Sequence, residues 1–300
     1  MSIPITKAIR GLLLVAVALL GAACATSLTP AEQMMWSTYL IATPKGVGTC
    51  IIVNRKDRSA PGGVRPVLVT SAHVLSTAPK GPFYLVCRHQ ESGQSPLVDI
   101  LEIDPPSQTA PVFVRHPRYD VAAMEIQLPL ELVNEVALPS FLDENAIAEG
   151  EGDLHPGDDV SVLGFPSVFP GTKGAFAVLR SARIASYSAG PPSEHRKFMI
   201  NTNVYSGDSG GPVFRNSRRG RPQLVGILTE RIGKKEGSVP LAVALDASVI
   251  AETLELAAAR GRQERSDELP FSVEPEAHSV RLLGPLKSLR ELVRANRRSD

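Results

Sequence analysis

The chain has 300 residues, 43% hydrophobic and 21% charged, with 24 Gly and 25 Pro. This is the balance of one large globular domain or two small ones, and it excludes a wholly disordered, coiled-coil or collagen-like chain. Lys and Arg total 32 against 31 Asp and Glu; a formal charge of +1 supplies no field for nucleic acid, and no such partner is expected.

In chain order, a basic stretch (Lys7, Arg10) leads into an apolar run from Gly11 to Leu20 and then Gly21-Ala22-Ala23-Cys24-Ala25. Those are the marks of a signal peptide over residues 1–23, and the run is shorter than the roughly 20 residues a membrane span needs. Export is therefore expected, to a periplasm or to the exterior. The string ending at Cys24 is also similar to a bacterial lipoprotein signal, although Gly21 stands where that pattern has Leu. Two outcomes stay open: lipidation of Cys24, which attaches the protein to a membrane, or cleavage near Ala23 or Ala25. Of the three cysteines, Cys50 and Cys87 then remain as a pair in apolar runs. They read as a disulfide or as two buried thiols.

From residue 30 onward, short β-branched runs alternate with Gly, Pro and polar turns. Examples are Gly48–Val53, Val67–Thr70, Phe83–Cys87, Val121–Ile126, Asp159–Gly164, Phe198–Ile200, Pro212–Phe214, Leu224–Leu228 and Leu241–Leu245. Such runs predict antiparallel strands of a sandwich or barrel, and without alternating long helices a parallel α/β sheet is disfavoured. An acid-rich stretch at 143–159 divides the strands into two sets. A helix is predicted from Ala247 to Ala259, with Ile250, Leu254 and Leu256 on its apolar face. Residues 261–300 turn to Arg, Glu, Ser and Pro and read as an exposed, flexible tail, with a short amphipathic helix from Leu286 to Ala295.

The chemistry concentrates in Gly207-Asp208-Ser209-Gly210-Gly211-Pro212. A hydroxyl nucleophile needs an exposed Oγ and adjacent backbone N–H groups for a developing oxyanion, and the glycines allow the tight turn this requires. A serine nucleophile also needs a base. His73, in Val69-Thr70-Ser71-Ala72-His73, follows an apolar strand directly and can face a cleft. Among the other histidines, His89, His155, His195 and His278 lie in polar loops or the tail, and His116, in a Pro-flanked loop, reads as structural. Asp120 opens the run Val121–Ile126, where a desolvated carboxylate needs a partner such as an imidazole. No residue set suggests a metal site, and no cofactor is expected.

The order His73, Asp120, Ser209, with Gly46-Val47-Gly48-Thr49-Cys50, Thr70-Ser71-Ala72-His73, Asp120-Val121-Ala122 and the Gly207–Pro212 string, resembles the chymotrypsin-like (trypsin-fold) serine peptidases. The nearest likeness is to bacterial trypsin-like peptidase domains, including the protease part of HtrA-type enzymes. Gly164-Phe165-Pro166 and Val225-Gly226-Ile227 are weaker echoes. The resemblance implies an all-β fold of two packed antiparallel six-stranded β-barrels, with a C-terminal helix and a peptidase domain over residues 30–260. It implies His73 as general base, Asp120 as its orienting acid and Ser209 as nucleophile, with the N–H groups of Gly207 and Ser209 forming the oxyanion hole. Asn203 would lie near the base of the primary pocket, with Thr229, Glu230 and Arg231 along its wall. Asn203 stands where an Asp would select Lys or Arg, so that selectivity is not expected.

Departures from the pattern are informative. No Ile-Val-Gly-Gly-like start exists to insert beside Asp208, so Asp208 needs another partner. Val74 follows His73 where animal enzymes commonly have Cys. The residues after Ala259 are too few for a PDZ domain. The leading expectation is an exported serine endopeptidase acting on protein or peptide substrates through an acyl-enzyme. The alternative is a catalytically silent trypsin-fold scaffold. An esterase is disfavoured because the Gly-x-Ser-x-Gly elbow is absent. Nothing in the pattern indicates oligomeric state.

Overall fold

The computed structural model describes residues 28–43, 46–60, 63–76, 82–89, 97–103, 113–126, 141–148, 154–167, 175–187, 196–217, 220–233, 240–266 and 280–285. Cys24 and the helix expected over 286–295 lie outside the described residues. Helix α1 (Pro30–Ser37) begins at a capping box in which Thr29 and Glu32 satisfy one another's backbone N–H, with Pro30 at the first helical position.

The first half comprises β1 (Thr38–Thr43), β2 (Gly46–Lys56), β3 (Val64–Thr70), the short helix α2 (Ala72–Ser76), β4 (Phe83–His89), β5 (Leu97–Ile103), β6 (Val114–Arg115), β7 (Ala122–Glu125) and β8 (Leu142–Asp143). The second comprises β9 (Asp159–Gly164), β10 (Val178–Tyr187), β11 (Lys197–Ile200), β12 (Pro212–Asn216), β13 (Pro222–Arg231) and β14 (Ala242–Asp246). Helix α3 (Ala247–Ser266) and β15 (Val280–Pro285) follow.

The second half closes as a six-stranded barrel in the order β10-β11-β14-β13-β12-β9. The first half is a nine-stranded sheet in the order β15-β5-β4-β1-β2-β3-β7-β6, with β8 parallel to β2. Beside the seven strands β1–β7 it takes in β8 from the junction segment and β15 from the segment that reads as tail, so it departs from the six strands expected; β15 pairs antiparallel with β5.

Strand periodicity explains why the sequence shows continuous apolar runs in place of alternation. Leu40, Ile51, Val53, Val67, Val69, Val121 and Ala123 face a core shared with Leu163, Phe214 and Leu245 of the barrel. Their neighbours Tyr39, Ile41, Cys50, Ile52, Leu68, Ala122 and Met124 point the other way, into the interior of the first half. Successive side chains on a strand leave on opposite faces, so a strand buried on both must be apolar throughout. The barrel keeps its own interior around Val162, Ile184, Phe198, Val213 and Leu228.

Helix α3 packs over the junction through Val249, Ile250, Leu254 and Ala257 and runs past Ala259 to Ser266. Leu256, expected on the apolar face, is instead exposed, because it lies about 200° around the helix from Leu254.

The disulfide reading of Cys50 and Cys87 is corrected: both are free and buried. Cys50 is on β2 and Cys87 on β4, with β1 between them in the sheet. Strands about 4.8 Å apart place residues across an intervening strand about 9–10 Å apart, too far for a bridge. Burial pushes the Cys87 thiol up to about 12 and the Cys50 thiol well above its ordinary range. Beside them, buried Arg88 donates to the carbonyls of Thr38 (3.0 Å) and Ala175 (2.9 Å), with its guanidinium 4.9–5.1 Å from the ring centres of Trp36, Tyr39 and Phe176. This cation ties α1 and β1 to the approach to β10.

Candidate active site

Strand β3 ends at Thr70, which pairs with Ala122 of β7. That register sets α2 beside the turn that precedes β7, and the Ala72 N–H donates to the Asp120 carbonyl (3.3 Å). The Asp120 carboxylate then meets His73 twice. Oδ1 accepts the His73 backbone N–H at 2.9 Å, and Oδ2 lies 2.5 Å from His73 Nδ1. A two-point contact fixes both the position and the plane of the imidazole, and assigns the Nδ1 proton to the carboxylate side. The His73 side chain is 49% exposed, which leaves the ring open to solvent.

Ser209 stands in the turn entering β12, and backbone bonds from the Asp208 N–H to Tyr205 O (3.1 Å) and from the Gly211 N–H to Asp208 O (2.9 Å) close it. Gly207 has φ +97°, and a Cβ there would run into the Phe165 carbonyl, so only glycine fits. The Ser206 carbonyl accepts from the Ser167 N–H (2.8 Å), turning the Gly207 N–H the opposite way. Among the described residues no hydrogen bond occupies the N–H of Gly207 or of Ser209.

The fully buried Asp208 carboxylate accepts from Arg180 Nη1 (2.8 Å) and from the Tyr205 N–H (2.8 Å). Arg180, on β10, is thus the partner of Asp208 that the sequence left unnamed. Gly164 makes room for the pair, since a Cβ there would overlap the Asp208 carboxylate.

The two halves are stitched together at this edge. Thr49 on β2 donates its N–H to Ser209 O (2.8 Å) and its hydroxyl to Gly207 O (2.7 Å), and it accepts from the Phe165 N–H (3.1 Å). Ser71, two residues before His73, donates its hydroxyl to Leu228 O (2.9 Å), the same carbonyl that receives the Gly210 N–H (2.8 Å). His73, Asp120 and Ser209 therefore share one edge of the junction between the sheet and the barrel.

The family model of the trypsin-like peptidase domain matches residues 48–227, more than half of the chain. The chain belongs to the trypsin-like peptidase family. It is a serine-type peptidase, a hydrolase acting on peptide or protein substrates. Among solved structures, this peptidase is similar to Rv3671c from M. tuberculosis, in an inactive form with its serine replaced by alanine. The identity there is 21% over 75% of this chain and 88% of that one, with a TM-score of 0.45. It is also similar to the HtrA-type protease AlgW solved with a tripeptide, at 17% identity over 77% of this chain and a TM-score of 0.48. The match spans 63% of the AlgW chain, under two thirds of its length. No curated protein matches the chain significantly.

Of the pocket residues expected from sequence, Asn203 offers its backbone carbonyl to Arg180 Nη1 (2.7 Å), while its buried side-chain oxygen has no hydrogen-bond partner among the described residues. Thr229 follows Leu228 on β13, with its hydroxyl likewise buried and unpartnered. Glu230 and Arg231 are exposed at the strand end, and Glu230 pairs with Lys197 (2.9 Å). Sequence reasoning missed the parts played by Thr49, Arg180 and Ser71. The first and last sit inside motifs that were noticed, whereas Arg180 carries no local signal at all.

Proposed function

We propose that the peptidase is an exported serine endopeptidase whose catalytic triad is His73, Asp120 and Ser209. The observation that carries this reading is the two-point contact of Asp120 with His73 on the edge that also bears the Ser209 turn. Ser209 Oγ attacks the scissile carbonyl carbon while His73 Nε2 takes the hydroxyl proton. Asp120 keeps the Nδ1–H tautomer and stabilises the imidazolium that forms. The N–H groups of Gly207 and Ser209 receive the oxyanion of the tetrahedral intermediate. His73 then protonates the leaving amine, and a water activated by the same imidazole hydrolyses the acyl-enzyme.

Arg180 takes the place of a newly cut amino terminus by neutralising Asp208, so in this reading the turn is formed without proteolytic activation. Asn203, Thr229 and Arg231 contribute to the substrate pocket, whose base lacks a carboxylate for a cationic side chain. Residues 30–260 form the peptidase unit. The basic-then-apolar opening of the chain supports export, with Cys24 as the candidate anchor residue.

The mature protein is incubated with a fluorophosphonate probe and, separately, with casein. Wild type labels and digests, whereas Ser209→Ala does neither, with hydrolysis falling by about 10⁴-fold or more. An unlabelled wild type overturns the peptidase mechanism, and labelling that survives Ser209→Ala overturns the nucleophile. Detergent-phase partitioning that is abolished by Cys24→Ala supports the anchor; partitioning unchanged by it removes lipidation.

A further inference from the structure

His116, which reads from sequence as a structural residue, lies four residues before Asp120, between β6 and β7. Its side chain is 3% exposed. Nδ1 accepts the backbone N–H groups of Arg118 (3.2 Å) and Tyr119 (3.1 Å). The His116 N–H donates to Val121 O and the Val121 N–H to Tyr119 O, both at 2.9 Å. The imidazole is thus the hub of the turn 116–121 that presents Asp120. Because Nδ1 accepts twice, the ring proton resides on Nε2, which faces Glu252 Oε2 of α3 at 3.1 Å.

Glu252 has a second partner. Its Oε1 is paired with Arg196, the residue immediately before β11 of the barrel. Arg196 is anchored through its own carbonyl, which accepts the Asp246 N–H (3.0 Å) where β14 ends. The hydrogen bond from Arg196, and secondarily that from His116, holds the Glu252 carboxyl below the usual carboxylate range, so it is charged at neutral pH. A continuous polar chain therefore runs from the barrel through α3 to the turn that carries Asp120.

We infer that Arg196, Glu252 and His116 are positioning residues that set Asp120, and through it His73, in register with Ser209 across the junction of the two halves. This rests on the triad assigned above. The need for such a device follows from the geometry. Asp120 and His73 belong to the first half and Ser209 to the barrel, while the Asp120 and His73 side chains are 30% and 49% exposed. Packing alone holds exposed groups loosely, and a misplacement of about 1 Å can cost about 100-fold in rate.

The experiment uses the full mature chain as wild type, Glu252→Ala, Glu252→Gln, Arg196→Ala and the Arg196→Ala/Glu252→Ala double variant. Arg183→Ala, which breaks the exposed Arg183–Asp159 pair, serves as control. Steady-state kinetics on a fluorogenic peptide are read beside the low-field proton resonance of the His73–Asp120 hydrogen bond. Glu252→Ala and Arg196→Ala lower kcat by about 10- to 100-fold with little change in KM. The double variant falls no further than the singles, since the chain acts as a unit. Glu252→Gln, whose single side-chain oxygen can accept from His116 or from Arg196 but not from both, falls with the alanine variants, and the low-field proton shifts or broadens in all three. The inference is overturned if kcat stays within about twofold of wild type, if the resonance is unmoved, or if Arg183→Ala has the same effect. A wild type without turnover removes the peptidase mechanism instead, and the resonance, which needs no turnover, still decides the chain's role.

Discussion

Asp208 and Asp120 are carboxylates in the two halves of the fold, and they are held by different means. Asp208 has no exposed surface; Arg180, the Tyr205 N–H and the closed turn around it fix it within the barrel. Asp120 is 30% exposed and reaches the folded body through His73, the Ala72 N–H and the turn centred on His116. The charge of Asp208 is therefore neutralised within the barrel, while the carbonyls of the turn reach across to Thr49. The other side depends on an outlying polar chain through α3. In the proposed mechanism, the nucleophile turn must keep two N–H groups fixed before any substrate arrives, which favours burial. An imidazole that moves a proton to and from substrate must stay accessible, so its precision has to come from polar contacts.

The strongest challenge to this contrast is Arg180→Ala. It leaves the fully buried Asp208 carboxylate without its cation and should cost about 3–5 kcal/mol in urea unfolding. Adding Asp208→Asn should restore part of that loss; wild-type stability in Arg180→Ala alone breaks the contrast. A smaller effect is expected from Thr49→Val. It removes the hydroxyl that bridges the Phe165 N–H and the Gly207 carbonyl, at about 1–3 kcal/mol, and should lower kcat more than it raises KM. A kcat equal to that of wild type shows that the nucleophile turn keeps its shape without the first half.

The smallest effect sharpens the comparison without touching the site. Burial raises the Cys87 thiol to about 12 and Cys50 well upward, so at pH 8 both are protonated, and the thiolate is the reactive form. A thiol reagent should modify neither in the folded protein and both on unfolding. Labelling faster than global unfolding shows that the first-half sheet opens on its own, ahead of the barrel.

Much of the proposed site is legible in the sequence because its signals are local. Ser209, His73 and Asp120 each sit in a short string whose residue types suit one task, and strands could be seen as apolar runs. Which face of each strand meets which core could not be seen, because both faces are buried and both are apolar. Leu256 was misplaced on α3 because composition does not say how far an apolar face extends. The thiol pair was undecided until the order β4-β1-β2 put a strand between its members.

By itself, the sequence determined the chemistry available: a serine in a glycine turn, a histidine beside a strand, and a carboxylate opening another. The tertiary structure decided who meets whom. Arg180 lies 28 positions from Asp208, Glu252 lies 136 from His116, and Thr49 lies 158 from Gly207. Contacts across such separations are set by strand order and register, which the packing of two-faced strands determines only when the whole chain is folded.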